Sequence, residues 1–186
     1  MKPLADVRWV SALWIGTLVT LSAGLTATYT CIVPFAALSV AAAMTLSSRQ
    51  ALICTAALWF ANQAAGFGVV NYPWTLNAIG WGAVIGAAAF AGTLAAKSCL
   101  RRLKGLSSHT RTVTGFLIAF AVYESTLYVA AVSMLGGAGA FAPGIIAQVL
   151  VVNVVALMGL WGLNQLLTAM LSSYRRRVSA TPAHLA

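Results

Sequence analysis

Glu124 stands alone among the 186 residues as an acid inside a long apolar run. An ionised carboxylate at mid-bilayer costs at least about 2.5–3.5 kcal/mol, more without a partner, and such acids mark functional sites by default. No Lys or Arg falls within any apolar run. Glu124 must therefore be protonated, satisfied by neutral donors, or turned toward a cavity or substrate. Phe120, Glu124 and Tyr128 share a helical face through their four-residue spacing. Other polar and aromatic groups fall at related depths: Trp59, Asn62 and Gln63 in one run, Asn77 and Trp81 in the next, and Asn153 in the last. With Tyr72 and Trp74 on the connection between, they form a candidate substrate-binding set, able to stack a flat ring and hydrogen-bond its edge.

What is missing narrows the chemistry. There is no phosphate-binding glycine loop, no HExxH, no GxSxG and no His/Cys cluster with metal-ligand spacing. His109 and His184 lie outside the apolar runs, and Cys31, Cys54 and Cys99 are odd in number and irregularly spaced. The cysteines read as small packing residues. One acid without a base or nucleophile argues against an enzyme, and no metal or cofactor is expected.

These residues need elements to hold them, and the composition says which. The chain is 61% hydrophobic and 7% charged, whereas soluble domains carry roughly a quarter charged residues. Its mean hydropathy is +0.90. The apolar runs suit helices that cross a core of about 30 Å. None shows the alternation of a barrel strand. The expectation is an all-α integral membrane bundle, one domain over 1–186. Its six transmembrane spans fall at about 9–27, 31–47, 50–70, 77–96, 113–134 and 145–172, with a tail over 173–186. The run from Trp9 to Leu46 would be about 57 Å as one helix, so it divides, with a turn near Thr28-Tyr29-Thr30 and Pro34 in the first turn that follows.

The net charge of +9 does not indicate nucleic acid, because every basic residue sits at the end of a run. Lys2, Arg8, Arg49, Lys97, Arg101, Arg102, Lys104, Arg111 and Arg175–Arg177 all fall on one side of a six-span arrangement. The positive-inside rule makes that side, and both termini, cytoplasmic. The three opposite connections are uncharged. The third, Gly-Gly-Ala-Gly-Ala-Phe-Ala-Pro-Gly over 136–144, reads either as a lid over a ligand or as a hairpin dipping into the lipid.

Small residues at four-residue spacing mark close helix contacts in lipid. The first span carries Ala12, Gly16, Thr20 and Gly24; the third Ala57, Ala61 and Ala65; the fourth Ala78, Gly82 and Gly86. Each stripe serves either packing within the bundle or docking of another membrane subunit.

In length, span number, small-residue stripe and outer polar residues, the chain resembles the substrate-binding S components of energy-coupling factor (ECF) transporters, which take up vitamins in prokaryotes. The resemblance is one of plan and spans all six runs. It implies a vitamin or cofactor precursor, thiamine-like or corrinoid, bound from outside. It implies a location in the prokaryotic cytoplasmic (inner) membrane. It also implies a transmembrane coupling subunit with paired ATPases, docked through Ala12 and Gly16. The pocket would take Tyr72, Trp74, Asn77, Glu124 and Asn153. Competing readings are a structural or assembly subunit mating through its small-residue stripes, and a membrane enzyme acting on a lipid or quinone.

Overall fold

The shortest helix occupies the centre. The computed structural model describes residues 8–28 and 33–180, with side chains described over 9–24 and 33–173. Helix α2 (Phe35–Thr45) is apolar on all sides, and every residue from Phe35 to Ala43 is buried. A helix without a polar face belongs in a core. Helices α3 (Ser48–Gly68), α4 (Leu76–Arg102), α5 (Ser108–Ala130) and α6 (Pro143–Ala180) surround it, and α1 (Arg8–Thr28) packs on the outside of α3. A π turn (Ala131–Leu135) extends α5, and a 3-10 turn (Ala138–Phe141) precedes α6. Among the described residues there are six α-helices and no strand.

Four of the helices, α3 to α6, are long and apolar enough to cross a membrane. Exposure follows the lipid pattern. Leu13, Phe60, Val129, Val155 and Met158 face outward, whereas Ser39, Thr55, Thr93 and Asn164 are buried. Polar groups inside pair with each other or with backbone: the Thr55 and Thr93 hydroxyls lie 2.8 Å apart, and each donates or shares back to a carbonyl of its own helix.

Local sequence sets the boundaries. Pro34, with no N–H to give and φ near −78°, starts α2. Ser47 and Gln50 form a capping box that starts α3 two residues after α2 ends. Thr75 and Ser107 cap α4 and α5 by accepting from Ala78 N and Thr110 N. The expected second span of 31–47 is thus a helix of 11 residues, about 16 Å long and well short of a bilayer. Helix α3 keeps its expected length but starts two residues earlier, at its cap, while α4 and α6 run past the ends of their apolar stretches. The turn residues Tyr29 and Thr30, together with Asp6, Cys31 and His184, lie outside the described residues.

Lys97 Nζ donates to Leu46 O at 2.5 Å, and the Thr112 hydroxyl donates to Met44 Sδ at 3.1 Å. These contacts bring the C-termini of α2 and α4 to the same end as the start of α5. Arg49, Lys97, Arg101, Arg102, Lys104 and Arg111 gather at that end. At the other, Asn77 Nδ2 donates to Leu135 O at 2.9 Å.

Candidate functional site

The seam between α3 and α4 holds three of the sequence-derived residues. Gly82 and Gly86 leave a notch on α4. Trp59 Nε1 donates to Gly82 O at 2.7 Å, and a methyl group at Gly86 would lie 2.8 Å from that same indole nitrogen. Gln63 Oε1 occupies the space a side chain at Gly82 would need, while Gln63 Nε2 donates to Asn62 Oδ1 at 3.0 Å. The small-residue stripe of α4 therefore serves packing inside the bundle. Its glycines exist to admit an indole and an amide.

A second group lies at the uncharged end. Phe67, which the sequence reading did not select, stacks at a tilt on Trp74 with centroids 4.7 Å apart and meets Tyr72 edge-on at 6.0 Å. Asn77 holds Leu135 O, and Leu135 packs over Gly80. Gly136 and Gly137 then take φ of 76° and 89°, a region open to glycine at little cost. A methyl group at Gly137 would sit 3.8 Å from the Trp81 ring. The start of the 136–142 connection thus lies against α4, with Asn77 on Leu135 and Gly137 beside Trp81, while residues 136–140 are exposed.

Glu124 and Tyr128 occupy a third place. Tyr128 meets Phe141 edge-on at 5.4 Å. Glu124 is half-buried and makes no hydrogen bond or ion pair with any described residue. Asn153, the fourth, is 2% exposed, accepts from Ala37 N at 3.1 Å through Oδ1, and donates to Val149 O at 3.0 Å. It caps the first turn of α2 from another helix. Phe35 and Tyr123 stack beside it at 5.9 Å. The ten candidate residues therefore distribute over four places. No hydrogen bond or ring contact joins Glu124 to Trp59, Asn62, Gln63, Trp81 or Asn153 among the described residues.

The first-span stripe differs from that of α4. Val10, Trp14 and Leu18 are buried, with Trp14 Nε1 donating to Thr45 Oγ1 at 2.9 Å. Ala12, Gly16 and Thr20 lie on the opposite, exposed side. Among the described residues, no atom beyond the helix's own backbone comes within 4 Å of a methyl group placed at Gly16 or Gly24. Trp9, Leu13, Thr17 and Leu21 flank the stripe, so that α1 alone lines this face among the described residues. Cys54 and Cys99 are free and buried, and the described residues contain no group of three metal-ligating side chains.

No family model matches the chain. Searches of curated proteins and of solved structures likewise give no match. Function must be read from the geometry.

Proposed function

We propose that this protein is the substrate-binding membrane subunit of a micronutrient uptake system, resembling an ECF-type S component, and that it has no ATPase of its own. The observation that carries the reading is the exposed small-residue face of α1. A stripe of small residues, including Ala12 and Gly16, is left open on the outside of the bundle, while the equivalent stripe on α4 is filled. Lipid tails give helices no hydrophobic reason to associate, so close approach over small residues is the means by which a partner helix gains contact. In this reading the chain crosses the prokaryotic inner membrane six times with both ends inside, the non-helical residues on either side of α2 completing the crossing that its 11 residues do not span. A transmembrane coupling subunit with ATPases docks on α1. The micronutrient enters at the uncharged end beneath the 136–142 connection, where Trp74, Asn77 and Trp81 supply stacking faces and an amide.

The test has two arms on the full chain. Gly16→Leu is expected to abolish co-purification with an ATPase-bearing membrane partner while the protein stays folded. Thiamine, corrinoids and other vitamins are then screened for a rise in the unfolding midpoint of the detergent-purified protein. One compound should stabilise the wild type but not Trp81→Ala. Unchanged co-purification together with no stabilising compound would sink the proposal. An assembly subunit would dock on the same face, and it predicts loss of the partner with Gly16→Leu but no ligand at all.

A further inference from the structure

Helix α5 has two faces. Phe116, Ala119, Tyr123 and Ala130 are buried against the bundle. On the side turned away from them, Thr110, Thr114, Leu117, Ala121, Glu124 and Tyr128 follow one another at alternating spacings of four and three residues. That spacing draws one straight seam along a helix, the seam of a left-handed helix pair, and most paired membrane helices cross with that hand. Thr110, Leu117, Ala121 and Tyr128 are exposed, while Thr114 and Glu124 are partly so.

Leucine and alanine on this seam suit lipid, and Glu124 does not. It stands about 21 Å from Thr110 and about 16 Å from the far end of the π turn, a depth that headgroups and bulk water do not share. A carboxyl group there needs a hydrogen-bond partner. The described part of the chain supplies none, and lipid tails have none to give. Copies of one chain inserted in the same direction pair about a two-fold axis along the membrane normal. Such an axis sets each residue opposite its own counterpart at the same depth. A neutral carboxyl group both donates and accepts, so two of them satisfy each other. One polar residue in an otherwise apolar seam also fixes the register of the pair.

We propose that the outer seam of α5 is the contact between two parallel copies of this chain, with Glu124 of one copy hydrogen-bonded to Glu124 of the other as neutral carboxyls. Ala121, one turn before Glu124, lets the two backbones approach closely. The seam lies on a different helix from the α1 face assigned to a coupling subunit, so the dimer stands or falls independently of that assignment.

Cross-linking of the full chain in native membranes tests the geometry, in a background with Cys31 replaced. Under a mild oxidant, Ala121→Cys should give a disulfide-linked dimer several-fold more readily than Val129→Cys, which is 60% exposed but about a quarter turn off the seam. Energy transfer between donor- and acceptor-labelled Ser173→Cys copies, diluted in lipid vesicles, then measures the affinity. Glu124→Leu should weaken pairing about eight-fold, the loss of two interhelical hydrogen bonds of ordinary strength. Glu124→Gln, whose amide also donates and accepts, should stay within about two-fold of the wild type. Equal cross-linking at both positions, a product containing a different protein in place of a second copy, or unchanged pairing in a folded Glu124→Leu variant would each overturn the proposal. So would Glu124→Gln behaving as Glu124→Leu.

Discussion

Asn153 shows how a polar residue within an apolar helix can be legible in type and not in role. Its chemistry marks it as a residue that must find partners in lipid, and the sequence reading placed it in a ligand pocket. Its partner is the backbone N–H of Ala37, 116 residues away, and no local spacing encodes that pairing. The other end of α2 repeats the device, with Lys97 on Leu46 O. Asn153→Ala leaves a buried N–H unsatisfied, which costs about 1–3 kcal/mol. Its unfolding midpoint should fall clearly below that of Ser173→Ala, whose side chain is exposed. Equal midpoints would mean that the cap contributes nothing. Glu124 is the opposite case: its isolation was readable from composition, and the structure leaves it isolated.

At the scale of elements, two stripes with the same spacing have different fates. Sequence alone could not separate them, since small residues at four-residue intervals describe a smooth surface without saying what lies on it. The distinguishing signal was beside the stripes. In α3, Trp59 and Gln63 are also four residues apart, matching Gly82 and Gly86 on α4 as two projections match two gaps. No described side chain stands over Gly16. Gly86→Leu should therefore lower the unfolding midpoint of the purified protein markedly, through overpacking costs of about 1–3 kcal/mol, while Gly16→Leu should leave it within error. Equal effects would mean that the α1 face is covered within the protein itself. The extent of α2 was the element least readable: Pro34 was read within its first turn and stands just before it, and the Ser47–Gln50 capping box that ends the run two residues after α2 was not used.

For the molecule as a whole, segregation of charge was the clearest message in the sequence, and the helix directions agree with it. The α2–α3 and α4–α5 connections and the six basic residues with described side chains lie at one end, tied by the Lys97 and Thr112 contacts. The proposed orientation places that end in the cytoplasm. In a background with Cys31 replaced, an impermeant maleimide added to intact cells should label Thr75→Cys and leave Ser107→Cys untouched until the membrane is opened. The reverse pattern would invert the assignment. Both positions are exposed, and the remaining Cys54 and Cys99 are buried.

The length of α6 has a mechanical side. Its 38 residues make a rod of about 57 Å, almost twice the hydrocarbon thickness, starting at the uncharged end and emerging past the basic end. Because its main backbone support is α2, it is free of the close packing that locks α4 to α5. A 10° rocking of such a rod about its outer end would carry its far tip through about 10 Å. A displacement too small to notice around Pro143 would thus arrive at the opposite surface as a movement the width of a helix.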